Sequence, residues 1–135
     1  MSMQYMTGRV LVCEDNDTLA GLWVAVLEHA GHQVIGPASS AEEALEEACR
    51  HLPDVALIDI GLSGAVDGIS VALELAPVGV PIILLTGDYR RASMEGWHLA
   101  ADILIKPIPP SLLIRSIDSV LQRNAGQRRA WQIPG

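Results

Sequence analysis

Cysteine is scarce in this sequence, which has only Cys13 and Cys49 among its 135 residues. Two cysteines are too few for a disulfide scaffold, and Cys13 lies within an apolar run, so both are predicted to be reduced thiols of a cytosolic protein. The apolar runs are no longer than a strand, which excludes a segment that spans a bilayer. The first residues lack the basic and then apolar pattern of a signal peptide, and residues 1–8 are predicted to be a flexible leader.

Positive charge is also in short supply, because 9 Lys and Arg residues face 16 Asp and Glu residues, for a net charge of −7. An acidic chain is repelled by phosphates, which argues against nonspecific binding to nucleic acid or to an anionic membrane. A length of 135 residues fits one domain, and a hydrophobic content of 50% is enough for a substantial core. We therefore predict one acidic domain over residues 9–124, followed by a short tail over residues 125–135.

The stretch from Val55 to Ile58 is a continuous apolar run between Pro53 and Gly61. Such a run is typical of a strand that is covered on both faces, as in a parallel sheet. Parallel sheets of α/β proteins bind their ligands at the carboxyl ends of the strands. Asp59 stands at that end and is the first candidate for a functional residue.

Strand and helix patterns alternate along the chain. Strands are predicted at residues 9–13, 32–36, 55–58, 82–85 and 102–105, and helices at residues 18–30, 41–52, 69–76, 93–100 and 111–124. The second helix follows the capping box that Ser40 and Glu43 form. Five strands alternating with five helices predict the α/β class, here a doubly wound five-stranded parallel sheet with helices on both faces.

Polar side chains follow four of the predicted strands, at the edge where such sheets bind ligands. In chain order they are Glu14, Asp15, Asp59, Thr86 and Lys106. Carboxylates brought together there repel one another, by roughly 4 kcal/mol for a pair about 4 Å apart at an effective dielectric near 20. Lys106 would compensate one charge, and Mg²⁺ would compensate two more, because oxygen ligands with open positions suit that ion. The Gly61 carbonyl is a further candidate ligand.

The same side chains suit phosphoryl transfer. Asp59 is the candidate nucleophile, because aspartate is a known covalent acceptor of phosphate. Cationic groups nearby stabilise the charge that spreads over the phosphoryl oxygens. Thr86 is placed to donate a hydrogen bond to the product, and Gly87 leaves room for it. The simpler interpretation is that the acids only cap helices and turns, and that Thr86 and Lys106 are ordinary strand-end and surface residues.

The ordered set Glu14-Asp15, Asp59, Thr86 and Lys106-Pro107 resembles the signature of the response-regulator receiver domain of two-component systems. Each motif is weak alone, but the ordered set on alternating strands and helices is specific. The resemblance covers residues 9–124 and is to stand-alone, single-domain receivers of bacterial signalling. It implies a flavodoxin-like receiver fold.

The resemblance also implies roles for individual residues. Asp59 would be the phosphoacceptor, and Thr86 and Lys106 would contact the phosphoryl oxygens. Mg²⁺ would be held by the two acids after the first strand, the phosphoacceptor and the Gly61 carbonyl, that is, by Glu14, Asp15, Asp59 and Gly61. The bond between Lys106 and Pro107 would be cis.

Ile103 departs from the family pattern, which usually has Tyr or Phe three residues before the lysine. That aromatic side chain normally changes rotamer with phosphorylation, so the switch here is expected to be muted or carried by Tyr89, Trp97 or His98. Asp88, two residues after the threonine, is expected to orient water, so that dephosphorylation is not unusually slow.

The resemblance implies that the domain takes a phosphoryl group from a sensor histidine kinase or a histidine phosphotransferase, and that it is not a turnover enzyme. It would then relay the phosphate or dock a downstream protein on the face formed by the predicted fourth helix, fifth strand and fifth helix, with homodimer formation as an option. Direct binding to nucleic acid or a membrane is not expected. Trp23 fits core packing better than docking.

Three other functions are open. A receiver-fold binding module that works without phosphate is supported by Ile103. A haloacid-dehalogenase-type phosphatase also uses a nucleophilic Asp and Mg²⁺, but it needs a second Asp where this chain has Gly61. A flavodoxin is disfavoured, because its first loop must cradle a phosphate and the acids of residues 14–17 would repel one.

Overall fold

The computed structural model of the chain describes residues 6–61, 68–87 and 98–131, with side chains described through residue 125. The strands are β1 (Arg9–Cys13), β2 (Gln33–Ala38), β3 (Val55–Asp59), β4 (Ile82–Thr86) and β5 (Asp102–Ile105). The helices are α1 (Asp17–His29), α2 (Ala41–His51), α3 (Gly68–Leu75) and α4 (Pro110–Trp131). Within these ranges, no helix is long and apolar enough to cross a membrane.

The five strands form one parallel sheet in the order β2-β1-β3-β4-β5. This is the doubly wound α/β fold that the alternating pattern predicts, with β1 beside β3 in the middle. Cys13 pairs with Ile58, and Thr86 pairs with Ile105. The residues that follow these strands are therefore brought to a single edge of the sheet.

Both faces of the sheet are buried. Ile58 and Leu84 pack in a cluster with α2 and α3, whereas their neighbours Leu57 and Leu85 pack in a second cluster with α1 and α4. Successive strand residues point to opposite faces, so a strand covered on both sides needs apolar residues at every position. This explains the uninterrupted apolar runs of β3 and β4.

The second strand is longer than predicted. It begins one residue later and runs on to Ala38, because the Gly36–Pro37 pair, which marked its end in the sequence, lies within it with a cis peptide bond. Gly36 has φ +92°, and a Cβ there would lie 3.0 Å from the Val12 carbonyl oxygen and 2.7 Å from the Ala38 amide nitrogen. Glycine is thus required where β2 bends around β1, and the register between the two strands shifts at that point.

Most helix boundaries differ from prediction by one residue, and one differs by more. Helix α1 begins one residue earlier, at Asp17, because Asn16 is the cap and its side chain accepts from the Leu19 amide at 3.0 Å. Helix α3 ends at Leu75, and Pro77 lies in the following 3-10 turn. Helix α4 continues to Trp131 instead of ending near residue 124. The Arg, Gln and Ala residues of this last segment favour helix strongly enough to outweigh one glycine.

The predicted fourth helix lies mostly outside the described residues, as do Asp88, Tyr89 and Trp97. Its expected last residues, 98–100, form a turn and not a helix. A helix cannot continue here because the hydrogen bonds between β4 and the start of β5 follow at once, beginning with the Ala101 amide, which donates to the Ile82 carbonyl at 2.7 Å. His98 lies in this turn. Its part in a switch stays a prediction.

Two residues that the predicted boundary assigns to the leader are held by the domain. The Met6 amide donates to Asp118 Oδ1 at 2.7 Å, and the Gly8 amide donates to His32 Nδ1 at 3.2 Å. The ends of the domain stay a prediction, but ordered backbone begins before Arg9.

Candidate functional site

The five side chains singled out in the sequence follow the strands of one sheet edge. Glu14 and Asp15 continue β1, Asp59 ends β3, Thr86 ends β4 and Lys106 follows β5. The edge strand is tied in by its backbone, because the Lys106 amide donates to the Thr86 carbonyl at 2.8 Å. The Lys106–Pro107 peptide bond is cis, as the resemblance implies.

The acids form a cluster of the size that a cation needs. Glu14, Asp15 and Asp59 each offer an oxygen within 4.8 Å of the others. Glu14 and Asp59 are 2% and 7% exposed, whereas Asp15 is exposed, so the cluster is open on one side only. A hard divalent cation such as Mg²⁺ suits an all-oxygen set with an open side, because it keeps water or accepts a phosphate oxygen there.

Glu14 is fixed in this cluster by its own backbone and by the turn that follows. Its amide donates to the Ala38 carbonyl at 2.9 Å, and its Oε2 accepts from the Asn16 amide at 3.3 Å. The second oxygen, Oε1, is buried without a hydrogen-bond partner among the described residues and lies 3.6 Å from Lys106 Nζ. A buried carboxylate oxygen left in this position is the ligand atom that a cation would use.

Lys106 makes the closest contact of the site. Its Nζ lies 2.5 Å from Asp59 Oδ2, while Asp59 Oδ1 accepts from the Gly61 amide at 2.9 Å. Both oxygens of the Asp59 carboxylate are therefore held, Oδ2 by the Lys106 ammonium and Oδ1 by the Gly61 amide. A charge-assisted bond of this kind is short and fixes the orientation of the carboxylate.

The pKa values of the two buried acids, Glu14 and Asp59, are shifted in opposite directions. Burial raises the pKa of Glu14 to about 7, and hydrogen bonding and repulsion from Asp59 add to the rise. Burial also favours a higher pKa for Asp59, but hydrogen bonds from Glu14, Lys106 and Gly61 outweigh it and lower the pKa of that carboxyl. Burial opposes the charge of Lys106, yet contact with Asp59 keeps its pKa above the ordinary value. Without a metal, the proton therefore belongs on Glu14 and the negative charge on Asp59.

Thr86 is 4% exposed at the end of β4. A Cβ built on the next residue, Gly87, would meet no atom within 4 Å among the described residues. Among the described residues, a side chain at position 87 would therefore meet no obstruction.

One residue of the site was not recognised in the sequence. A Cβ on Gly68 would lie 2.3 Å from the Asp59 carbonyl oxygen and 2.8 Å from Ile58 Cγ2. The Gly68 amide also donates to the Ile60 carbonyl at 3.2 Å. Helix α3 can therefore begin directly behind Asp59 only because its first residue has no side chain. A glycine placed immediately before the apolar residues of a helix was the available signal.

The position at which Ile103 replaces the usual aromatic residue is half-buried. Ile103 packs with Leu99 and Ala100 against the cluster beneath α2 and α3. An aliphatic side chain held in this way has no ring that rotates between a buried and an exposed position. The muted switch stays a prediction.

A doubly wound parallel sheet with an acidic cluster, a threonine and a lysine at its carboxyl edge places the chain among α/β proteins whose site lies at that edge. Comparison with known families makes this specific, because the model of the response regulator receiver domain matches residues 10–118. The chain belongs to this family of two-component signalling proteins.

Curated relatives agree with this assignment. Transcriptional regulatory protein PdtaR of Mycobacterium tuberculosis is 32% identical over 118 residues, covering 85% of this chain and 57% of that protein. Virulence transcriptional regulatory protein PhoP of Salmonella typhimurium is 32% identical over 128 residues, covering 87% of this chain and 54% of that protein. The chain thus spans about half the length of these relatives.

Solved structures show the same fold. The signal receiver domain of a modulated diguanylate cyclase from Desulfovibrio desulfuricans G20 superposes with a TM-score of 0.80 at 32% identity, covering 90% of this chain and 99% of that chain. The response regulator PhyR from Brucella abortus superposes with a TM-score of 0.86 at 24% identity, covering 96% of this chain and 54% of that chain. The second likeness concerns the fold alone.

Proposed function

We propose that this receiver domain accepts a phosphoryl group on Asp59 from a phosphorylated histidine of a sensor kinase or phosphotransferase, with Mg²⁺ as cofactor. The observation that carries the proposal is the contact of 2.5 Å between Lys106 Nζ and Asp59 Oδ2 beside a cation-sized cluster of acids. An aspartate in this setting has a nearby cation to stabilise a phosphoryl group and a metal site to receive its oxygens.

The metal ligands in this proposal are Glu14, Asp15, Asp59 and the carbonyl of Gly61. An Mg²⁺ ion held by these residues would neutralise charge on the phosphoryl oxygens. Glu14 must give up its proton to serve, because a carboxylic acid is a poor ligand for a hard cation. Glu14 Oε1 is buried 3.6 Å from the Lys106 ammonium and accepts no hydrogen bond of normal geometry among the described residues, which supports its place in this set.

The transfer itself exchanges one bond for another. An oxygen of Asp59 attacks phosphorus, the new P–O bond forms, and the P–N bond to the donor imidazole breaks. The departing imidazole keeps the proton on its other nitrogen and leaves neutral. As Asp59 gives up its charge, the Lys106 ammonium moves its hydrogen bond to a phosphoryl oxygen, and the Thr86 hydroxyl donates to another.

The donor needs a surface beside Asp59, and α1 offers one. A groove of about 390 Å³ lies between α1 and the segment that follows β5, lined by Leu19, Leu22, Trp23, Lys106, Pro107 and Ile108. Leu22 is 46% exposed, whereas Trp23 is only 2% exposed and packs in the core, as its helical spacing predicts. An amphipathic helix of a phosphohistidine protein would bury Leu22 and place its histidine next to Lys106.

Mass spectrometry of the intact protein tests the proposal. After incubation with acetyl phosphate and Mg²⁺, we expect a gain of one phosphoryl group that is lost in Asp59→Asn and without Mg²⁺. Asp17→Asn is the matched control, because Asp17 is an exposed neighbouring acid outside the cluster, and it should be phosphorylated normally. Absence of an adduct in the folded parent protein, together with no beryllofluoride complex, would contradict the proposal.

Ile103 favours a second function, that of a receiver-fold binding module that acts without phosphate. Ile103 packs against the sheet, so an aliphatic side chain occupies the position of the aromatic residue that usually acts as the switch. This module would bind its partner equally well with and without beryllofluoride, whereas the phosphorylated receiver would not.

The cytosolic location stays a prediction that rests on two free cysteines, one of them exposed.

A further inference from the structure

Helices α1 and α4 lie on the same face of the sheet and leave an apolar groove between them. Its volume is about 580 Å³, and its apolar walls are formed by Ala25, Val26 and Ala30 of α1 and by Pro110 and Ile114 of α4. Val26 and Ile114 are half-buried and pack on the core cluster beneath these helices, so they form the floor of the groove. None of these residues belongs to the acidic cluster, so the groove is a separate surface of the domain.

The rim of the groove carries basic side chains. Arg115 and His29 line it and are exposed, and neither makes a hydrogen bond or an ion pair with any of the described residues. Ser111, also on the rim, lies in the first turn of α4, where free amide groups carry the positive end of the helix dipole. Within the part of the chain that the structure describes, no acid lines the groove. The positive rim therefore has no internal counter-charge.

The acids nearest in sequence to these bases do not supply one. Glu28 and Asp118 are not among the residues that line the groove. The Asp118 carboxylate is held elsewhere, because its Oδ1 accepts from the Met6 amide at 2.7 Å and its Oδ2 accepts from the Gln122 side chain at 2.8 Å. Arg115 is thus free to pair with a group from outside the domain.

The local charge of the groove is opposite in sign to that of the chain, whose net charge is −7. Charges further apart than about 8 Å are largely screened at physiological ionic strength. The charge at Arg115, and not the net charge, therefore decides which sign a group docked in the groove carries. Much of the remaining surface repels acidic molecules, so an acidic partner is directed to this groove.

The walls of the groove favour a helix as its occupant. Both walls are α-helices, whose backbone amides and carbonyls are bonded within each helix. An extended peptide would therefore bury backbone groups without partners, whereas a helix satisfies its own backbone and lays an apolar stripe on the floor. Leu22 is 46% exposed and comes four residues before Val26 on α1, so it prolongs the apolar surface by a turn.

We propose that the groove between α1 and α4 binds an amphipathic helix of a partner protein, with its apolar side chains on Val26 and Ile114 and its acidic side chains paired with Arg115. The proposal does not rest on phosphorylation of Asp59, because the groove contains no residue of the acidic cluster and the test uses no phosphodonor. Failure of the groove to bind a helix and failure of Asp59 to accept phosphate are separate results.

Two synthetic helices test the charge complementarity. Each is a stapled peptide of about 15 residues, long enough to be helical in water, with leucines along one face. One has glutamates beside the leucines and the other has lysines. We expect the glutamate helix to bind the parent protein about tenfold more tightly, because the lysine helix meets Arg115 with a like charge. The NMR signals of Val26 and Ile114 should shift as the glutamate helix binds.

Arg115→Glu should reverse the preference, so that the lysine helix binds more tightly. Arg50→Glu is the matched control, because Arg50 is an exposed arginine of α2, on the opposite face of the sheet, and the change in net charge is the same. This control should leave the preference unchanged. Val26→Thr keeps the shape of the floor but adds a hydroxyl, and it should weaken the binding of both helices.

Several results would overturn the proposal. Equal affinity of the parent protein for both helices, or no binding of either, would show that the groove does not recognise an acidic helix. Binding that leaves the Val26 and Ile114 signals in place would locate the helix elsewhere, and equal effects of Arg115→Glu and Arg50→Glu would show that only net charge matters. A parent dimer in sedimentation that Arg115→Glu abolishes would show that a second copy occupies the groove.

Discussion

The ammonium of Lys106 lies 2.5 Å from Asp59 Oδ2 and thereby joins the edge strand β5 to the central strand β3 across β4. This contact makes the lysine an internal counter-ion of the acidic cluster in the absence of a metal. Lysine and metal therefore share the task of balancing the same carboxylates, and several measurable properties follow from that.

Replacement of Lys106 by Met should separate metal binding from phosphorylation. Loss of the ammonium leaves the carboxylates with less compensation, so Mg²⁺ should bind more tightly, by about tenfold or 1.4 kcal/mol. Phosphorylation by acetyl phosphate should nevertheless slow by about 10²-fold, because a positioned charge on the phosphoryl oxygens is lost. Calorimetry and intact-mass time courses measure the two effects, with Lys106→Arg as the charge-preserving control. Parallel loss of both properties would contradict this division of roles.

Affinity for Mg²⁺ should rise with pH. Glu14, whose pKa is raised to about 7 mainly by burial, is protonated below that pH and must ionise before it ligates the metal. We expect Mg²⁺ titrations to show affinity that increases from pH 6 to pH 8 and then levels off. Glu14→Gln should bind weakly with little dependence on pH over this range. A flat profile for the parent protein would show that Glu14 is already ionised.

Glu14 also makes the stability of the metal-free protein depend on pH. The free energy of unfolding should fall as pH rises, whereas the affinity for Mg²⁺ should rise. The folded pKa of Glu14 lies above its ordinary value of 4.5, so the folded state binds the proton more strongly than the unfolded state. The free energy of unfolding should therefore fall as pH rises from about 4.5 to about 7. Urea unfolding in EDTA, compared between the parent protein and Glu14→Gln, isolates this contribution. Saturating Mg²⁺ should abolish the fall.

His32 should act with the opposite sign at mildly acidic pH. Its side chain is 5% exposed, its Nδ1 accepts from Gly8, and burial lowers its pKa below the ordinary 6.5. The unfolded state then binds the proton more strongly, so this residue costs stability as pH falls through about 6.5. The difference in unfolding free energy between the parent protein and His32→Gln, measured at pH 7.5 and at pH 5.5, should shrink at the lower pH. An unchanged difference would contradict a neutral buried imidazole.

Two glycine-to-alanine substitutions should have opposite effects. Gly68→Ala places a Cβ 2.3 Å from the Asp59 carbonyl oxygen, and crowding of this kind costs about 1–3 kcal/mol. Gly21→Ala, in helix α1, meets no described atom within 4 Å and should stabilise by up to about 1 kcal/mol through helix propensity. Denaturant unfolding measures both. Equal effects would show that Gly68 is not a close-approach position.

Sequence alone was sufficient to place the site residues on one edge. The apolar runs before Asp59, Thr86 and Lys106 identify buried parallel strands, and the ends of parallel strands converge whatever the details of packing. The fold class follows from the same alternation, and the order of the strands agrees with it.

Other features depend on tertiary contacts that no local pattern encodes. The continuation of β2 through Pro37 requires the bend at Gly36 around β1, whereas proline and glycine in a sequence usually mark a strand end. The close approach of Gly68 to Asp59 and the unequal protonation of Glu14 and Asp59 depend on distances across the fold. The length of α4 was underestimated because one glycine was given too much weight.

The most direct test of phosphorylation at Asp59 is to trap the acyl phosphate chemically. The protein is phosphorylated with acetyl phosphate and Mg²⁺, reduced with borohydride, and mapped by tandem mass spectrometry. Reduction of an aspartyl phosphate yields homoserine at the modified position. We predict homoserine at position 59 alone, and none when EDTA replaces Mg²⁺. Homoserine at position 15 or at another aspartate, with none at position 59, would contradict the assignment of Asp59 as the phosphoacceptor.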